Sequence, residues 1–231
     1  MDQARYRQLR AVLRGLLPYD AHAGGNGGYH IRSLYFDDLY QTAYRQKMAG
    51  VEVRKKYRVR IYNCAPGPIA LECKHKNGAY IYKESVPLTA AEYTALCRGD
   101  CRFLLGKAQP MAARFFVESR AAVLRPRVIV AYDREAFVND VGTVRITFDK
   151  DITAMDPGQD LFDPRAAGYH VLPPRADDPG SQVYRHPTGV YSNDLSCVFL
   201  RQDVGLQVLP VCRPGPAGPA LNGAQQEVTG L

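Results

Sequence analysis

Three closely spaced runs of alternating residues, between Val53 and Lys83, constrain the fold of this chain most strongly. Successive side chains of a β-strand point to opposite sides, so each run has a charged face and an apolar face. The charged positions are Lys56, Arg58, Arg60, Glu72, Lys74 and Lys83. The apolar positions are Tyr57, Val59, Ile61, Ile69, Leu71 and Cys73. This pattern predicts a sheet with one face packed on a core and with cations on the other face, which suits a polyanion.

Short turns join these runs and predict antiparallel pairing. Pro66-Gly67-Pro68 separates the first two runs, and Asn77-Gly78, a strong hairpin signal, separates the second and third. A strand is also predicted at residues 29–36, and a later pair at 127–137 and 143–149 is joined by a turn at 139–142. In the last strand Arg145, Thr147 and Asp149 share one face.

Four helices are predicted around these strands, which makes the fold class α+β. The first covers residues 3–17, and the second covers residues 38–48 with Asp37 as its N-cap. Thr89 and Glu92 have the spacing of a capping box, which predicts a helix running towards Gly106. The fourth helix covers residues 111–124, where Phe115 and Phe116 are expected to be buried.

Charge is distributed unevenly along the 231 residues. Residues 1–150 contain 25 Lys and Arg against 14 Asp and Glu, whereas residues 151–231 contain 5 against 9. A basic body favours phosphate-rich partners such as nucleotides, polyphosphate, nucleic acid or anionic lipid. The last 81 residues contain 10 Pro and no Lys, a composition that predicts a poorly ordered tail.

The cysteine pattern and the absence of long apolar runs predict a cytoplasmic protein. The six cysteines form no CxxC pair and no secretory signal precedes them, so we expect reduced thiols. No run of about 18 apolar residues occurs, so we expect no membrane span. The five histidines lie in no diagnostic motif, which gives nucleophilic catalysis by Ser or Cys little support.

The charged strand faces allow two arrangements. The sheet could be open with a solvated basic face, or it could close into a barrel with a wet interior lined by the charges. Glu72 lies two residues before Lys74 and on the same face. A carboxylate among phosphate-binding cations is typical of a divalent metal site, but an ion pair with a neighbouring strand explains it equally well.

Five segments of the chain resemble, in order and spacing, the VTC polyphosphate-polymerase domain. The resemblance covers roughly residues 5–174. The segments are YHIRSLYFDD at 29–38, RKKYRVRIYN at 54–63, IALECKHK at 69–76, RPRVIVAYDREAF at 125–137 and VRITFDK at 144–150.

That family belongs to the CYTH-like triphosphate tunnel metalloenzymes. The resemblance therefore implies an antiparallel β-barrel of the triphosphate-tunnel type with flanking helices, here incomplete. It also implies a divalent metal, Mn²⁺ or Mg²⁺, and ATP-dependent extension of a polyphosphate chain.

The resemblance assigns roles to eight residues. Glu72 is the expected metal-binding acid. The expected substrate-binding residues are Lys56, Arg58, Arg60, Lys74, Lys83, Arg134 and Arg145. The expected catalytic residues are Arg58, Arg60, Lys83, Arg134 and Arg145.

The chain departs from the family pattern at both ends. The family has an EYKY-like strand before its first helix, whereas Met1 already falls at the start of that helix. After VLPP at 171–174 the family continues with ILEVKY and later SKY, and this chain has neither. Codons read one base later permit MILEVKY from residues 177–184 and SKY from residues 206–209. We therefore expect a VTC-like domain at 1–174, a frame slip between about 172 and 177, and a non-native or disordered tail at 175–231.

Three functions remain open from the sequence. The first is an enzyme that binds ATP and polyphosphate in a basic tunnel and transfers the ATP γ-phosphate to the polyphosphate. The second is a catalytically impaired module that only binds polyphosphate or triphosphate. The third, which we consider the least supported, is a basic sheet that binds nucleic acid. The sequence does not indicate which proteins the chain binds.

Overall fold

The computed structural model describes residues 3–25, 27–139, 144–171 and 209–210, and the structural statements below concern these residues. Within them the chain folds into four α-helices, a 3₁₀ turn and eight strands. The helices are α1 (Gln3–Leu16), α2 (Thr42–Met48), α3 (Ala90–Cys97) and α4 (Pro110–Ala121), and the 3₁₀ turn is Arg102–Gly106. The strands are β1 (Gly28–Asp37), β2 (Val53–Tyr62), β3 (Ile69–Asn77), β4 (Tyr80–Leu88), β5 (Arg125–Asn139), β6 (Val144–Met155), β7 (Tyr169–His170) and β8 (Leu209–Pro210).

The strands form one antiparallel sheet in the order β4-β3-β2-β1-β5-β6-β7, with β8 also paired to β6. Among the described strands, β4 and β7 lie at opposite ends of this order and do not pair with each other, so the sheet is not closed. The structure therefore confirms an α+β fold with an incomplete antiparallel barrel and flanking helices.

The main hydrophobic core lies on the side of the sheet that faces α3, α4 and the 3₁₀ turn, and we call this side the core face. Phe115 of α4 is buried there and packs edge to face against Phe36 and Tyr57, with ring centroids 5.6 and 4.9 Å apart. All six apolar positions predicted in β2 and β3 belong to this core. Their burial removes apolar surface from water and so helps to stabilise the fold.

Two helices differ from their predicted bounds. The prediction that the second helix begins at Asp38 is wrong, because α2 begins at Thr42 after Gln41, whose φ is 56°. Asp37 is not its N-cap, although its carboxylate accepts hydrogen bonds from the backbone N–H groups of Ala43 and Tyr44 at 3.0 and 3.1 Å. The capping box of α3 is confirmed, but that helix ends at Cys97, well before Gly106.

The helix α4 agrees with its prediction more closely. It spans Pro110–Ala121, and Phe115 is buried as expected. Phe116 is only partly buried and packs against the edge of the core. Consecutive helical residues point about 100° apart, so both rings cannot face the sheet fully.

Several predictions fall outside the described residues. They are most of the turn predicted at 139–142, the tail after residue 171 apart from β8, and the segments 177–184 and 206–208 that motivate the frame-slip hypothesis. The division at residue 174 and the frame slip stay predictions. No helix in the described part of the chain is long and apolar enough to cross a lipid bilayer.

Candidate anion-binding face

The face of the sheet opposite the core face collects the predicted cations, and we call it the basic face. Antiparallel register places Arg58 beside Tyr35 of β1 and Glu72 of β3, and it places Arg60 beside Ser33. By the same register and the alternation of each strand, this face carries Lys56, Arg58, Arg60, Lys74, Lys83, Arg134 and Arg145. The structure thus brings all seven predicted substrate-binding side chains to one side of the sheet.

Glu72 of β3 lies on the basic face and is bound by cations from both neighbouring strands. Nε and Nη2 of Arg58 each lie 2.8 Å from Oε2 of Glu72, and Nζ of Lys83 lies 2.8 Å from Oε1. Burial alone would raise the pKa of this carboxyl, but Arg58, Arg60 and Lys83 lower it to about 2. Glu72 is therefore ionised at neutral pH and partly neutralises the cations around it.

Arg60 is buried and is held in place by neutral oxygen acceptors. Its Nε donates to Oγ of Ser33 at 3.1 Å, and its Nη2 donates to Oη of Tyr132 at 2.9 Å. Burial is the main reason that the pKa of Tyr132 is raised, although the charges of Arg60 and Arg134 oppose the shift. Tyr132 therefore stays neutral, and the positive charge of Arg60 stays largely uncompensated by its own hydrogen-bond partners.

Arg134 forms the most regular ion pair on the basic face. Its Nε and Nη2 donate to the two carboxylate oxygens of Asp149 at 2.6 and 2.7 Å, and its guanidinium lies 5.2 Å from the ring centre of Tyr132. Burial disfavours the charged form of Arg134, but Asp149 outweighs this effect and its pKa is raised. Two-point pairing fixes the plane of the guanidinium.

Arg145 lies further along β6 and connects the sheet to the loop after α1. Its Nη2 donates to Oη of Tyr29 at 2.8 Å and also pairs with the buried carboxylate of Asp20. Arg145 thus occupies the same face as Arg134 but belongs to a separate ion pair.

Three lysines from three neighbouring strands form a row at the other end of the basic face. Lys56 of β2 is the register partner of Lys74 of β3, which is in turn the register partner of Lys83 of β4. Directly opposed side chains have Cβ atoms about 5 Å apart, and like charges in such pairs are destabilising. The ion pair between Lys83 and Glu72 relieves part of this repulsion, and a bound anion would relieve more.

The described residues do not fit a divalent metal. Both oxygens of Glu72 accept from cations, and no group of three or more His, Cys, Asp or Glu side chains that could hold a metal ion was found in the described part of the chain. The two other acids that pair with cations of the basic face are also engaged: both oxygens of Asp149 accept from Arg134, and Asp20 pairs with Arg145. The observed contacts of Glu72 match the ion-pair alternative.

Sequence analysis missed several residues that hold the cations in place. Tyr132 and Ser33 were detectable, because Tyr132 lies two residues before Arg134 and Ser33 lies on a strand flanking β2. Asp149 was placed on the correct face but was not assigned as a partner. Asp20 lies in a loop with no periodic pattern, so its contact with Arg145 had no signal in the sequence.

A sequence model of the VTC domain matches residues 1–191 of the chain. Among curated proteins, none matches the sequence significantly. The family match and the basic face together support binding of a phosphate-containing substrate.

Two solved structures show a limited likeness to the fold. One is a proposed adenylate cyclase from Bacillus halodurans, with a TM-score of 0.42, 13% sequence identity, and coverage of 67% of this chain and 68% of that chain. The other is a proposed adenylyl cyclase from Hippeastrum, described as having a dominant triphosphatase activity, with a TM-score of 0.42, 12% identity, and coverage of 67% and 69%. At this level of similarity neither protein bears on the function of this chain.

Proposed function

The chain belongs to the VTC domain family, and from this premise we propose that its basic face binds the phosphate chains of ATP and polyphosphate and that the domain transfers the ATP γ-phosphate to the polyphosphate. The observation that carries the proposal is the collection of seven Lys and Arg side chains from five strands on one face. A linear chain of phosphates matches such a surface, because successive negative groups can each meet a different cation.

The contacts of each cation suggest a division of roles. Arg58, Arg60 and Arg134 are fixed by hydrogen bonds before any ligand arrives, so they would orient phosphate oxygens at a low entropic cost. Lys83 is 51% exposed and would follow the ligand as a mobile point charge.

Phosphoryl transfer depends mainly on positioning and on stabilisation of charge at the phosphate oxygens, so preorganised cations supply much of what the reaction needs. The family reaction also requires Mn²⁺ or Mg²⁺, which stabilises the charge on the phosphates. Because the described residues do not fit such an ion, we assign no step of the reaction to it. We place the reaction in the cytoplasm, where ATP is available.

The direct test is incubation of the full chain with ATP and Mn²⁺ or Mg²⁺, with and without a short polyphosphate primer, followed by gel analysis of polyphosphate. We expect longer polyphosphate and an equivalent amount of ADP. Tight binding of polyphosphate without production of ADP or chain growth would contradict the transfer step but would agree with the binding step.

A second candidate, binding of polyphosphate or triphosphate without transfer, is favoured by one observation. Three acids that contact the cations of the basic face, Glu72, Asp149 and Asp20, are each paired with arginine or lysine. The same incubation separates the two candidates, because a protein that only binds polyphosphate would leave its length unchanged.

The structure offers little in favour of a nucleic-acid surface. Tyr29, Tyr35 and Tyr132 lie on the basic face, but each is less than 10% exposed. Base stacking requires an accessible ring face. Competition between polyphosphate and single-stranded RNA at fixed salt tests this alternative, and we expect polyphosphate to displace RNA.

A further inference from the structure

A cavity of about 350 Å³ opens on the core face, on the opposite side of the sheet from the basic face. It lies where the C-terminal ends of α3 and α4 meet the beginning of β5. The volume falls at the lower end of the range that binds small molecules, which is roughly 300–1,000 Å³. The residues that line it divide into an apolar floor and a basic mouth.

The floor is formed by side chains of the main core. Phe36, Leu96 and Phe115 lie at its base. Each is at most 3% exposed, so the base offers a small apolar contact area. Phe36 and Phe115 pack edge to face against each other, with their ring centroids 5.6 Å apart. An apolar or aromatic group is the natural occupant of such a floor.

The mouth is formed by three exposed arginines, Arg98, Arg120 and Arg125. Within the described residues none of them forms an ion pair with a carboxylate. Among the residues that the structure describes, one side-chain hydrogen bond involves these arginines, from Nη1 of Arg125 to the backbone oxygen of Leu124 at 3.1 Å. This differs from Arg58, Arg134 and Arg145, which all pair with acids.

Helix ends explain part of this placement. Arg98 caps the C-terminus of α3 and Arg120 lies in the last turn of α4, where the helix dipole favours cations. The helix dipole does not explain the position of Arg125, because Arg125 is the first residue of β5. The acids nearest to these arginines in sequence are Asp100 and Glu118. Asp100 is exposed and accepts from the backbone N–H of Arg102 at 3.2 Å, and Glu118 pairs with Lys55. Three arginines therefore line the mouth of the cavity, and none of the described residues that line it is an acid.

We infer that this cavity binds a small organic phosphate, with its apolar or aromatic body against Phe36, Leu96 and Phe115 and its phosphate group at Arg98, Arg120 and Arg125. A phosphate is preferred over a carboxylate because a dianion with several acceptor oxygens can meet more than one guanidinium fork. The site is separate from the basic face and does not depend on the reaction proposed there.

The test is isothermal titration of the full chain with phenyl phosphate, inorganic phosphate and hexanoate. We expect phenyl phosphate to bind with one-to-one stoichiometry and at least about tenfold more tightly than either of the others. Inorganic phosphate lacks the apolar body, and hexanoate lacks the phosphate group. Equal affinity for inorganic phosphate would overturn the apolar part of the inference, and equal affinity for hexanoate would overturn the assignment to phosphate.

Three variants locate the site. The double variant Arg120→Ala/Arg125→Ala is expected to weaken phenyl phosphate binding by about tenfold or more, from the loss of charged hydrogen bonds. Arg102→Ala removes an exposed arginine that does not line the cavity, and Lys83→Ala removes a cation of the basic face; both should bind as wild type does. Absence of phenyl phosphate binding at millimolar concentration, or equal loss in Lys83→Ala, would overturn the inference. Unchanged thermal unfolding of each variant shows that it is folded.

Discussion

Arg58 holds Glu72 in a two-point ion pair, with Nε and Nη2 of the guanidinium each 2.8 Å from Oε2 of the carboxylate. On the other side of β3, Nζ of Lys83 lies 2.8 Å from Oε1, the second carboxylate oxygen. The carboxylate therefore orients the cations of the basic face and also reduces their net charge. Orientation of the cations favours a bound anion, whereas a lower net positive charge disfavours it. The two effects can therefore be separated by experiment.

Replacing Glu72 by Gln should strengthen the binding of tripolyphosphate in metal-free buffer. The substitution removes one negative charge from beside Arg58, Arg60 and Lys83, and we expect a several-fold to about tenfold gain in affinity at low salt. Fluorescence or calorimetric titration in the presence of a chelator measures it. Glu118→Gln, which affects an ion pair with Lys55 away from the basic face, is the matched control. Weaker binding of Glu72→Gln without metal would show that orientation matters more than charge.

The low pKa of Glu72 predicts how stability depends on pH. Its pKa is about 2 in the folded protein against an ordinary 4.5, so the ionised carboxylate stabilises the fold above about pH 4.5. That contribution, on the order of 3 kcal/mol, is lost as the pH falls from about 4.5 towards 2. The free energy of unfolding in urea, measured for wild type and Glu72→Gln from pH 6 to 2.5, should therefore differ less between the two proteins as the pH falls. A difference in unfolding free energy that stays constant over this pH range would contradict this assignment.

The strand pattern predicted the basic face well, because alternation in β2 and β3 determines which side chains lie together. Arg58, Arg60 and Lys74 needed no tertiary information to be placed on one face. The start of α2 could not be predicted in this way, since Gln41 adopts a left-handed conformation that its residue type does not favour. The contact between Arg145 and Asp20 joins a strand to a loop about 125 residues away in sequence, and local patterns carry no information about such contacts.

Removing the phenolic oxygen of Tyr132 should destabilise the basic face. In Tyr132→Phe the buried Nη2 of Arg60 loses its acceptor at 2.9 Å, and an unsatisfied buried donor costs about 1–3 kcal/mol. The free energy of unfolding in urea measures the loss. Tyr40→Phe, at a side chain that is 70% exposed, should change it by less than about 0.5 kcal/mol. Equal values for the two variants would show that Arg60 finds another acceptor.

A second buried carboxylate, Glu135, should anchor α1 to the sheet. Tyr6 donates to it at 2.6 Å, Arg10 at 2.7 Å and Tyr19 at 3.0 Å. Burial disfavours the ionised form of Glu135, but these hydrogen bonds outweigh it and lower its pKa. Glu135→Gln removes the charge while keeping the shape, and we expect a loss of about 3 kcal/mol.

Hydrogen exchange localises that effect. The amides of α1 should exchange faster in Glu135→Gln, whereas Asp133→Asn, at an exposed acid that contacts His30, should leave them unchanged. Unaltered protection of α1 in Glu135→Gln would mean that apolar contacts alone hold the helix.

The central claim is that phosphate chains bind to the basic face, and paired lysine variants test it most directly. Lys74→Ala/Lys83→Ala removes two charges from the basic face, and Lys55→Ala/Lys107→Ala removes two charges from side chains whose partners, Glu118 and Glu92, lie on the helices of the core face. Polyphosphate affinity is measured for both variants and wild type over a range of salt concentrations. We predict that only the Lys74/Lys83 variant loses about tenfold or more in affinity and shows a shallower salt dependence. Equal losses in the two variants would show that polyphosphate binds through net charge alone and would contradict the account.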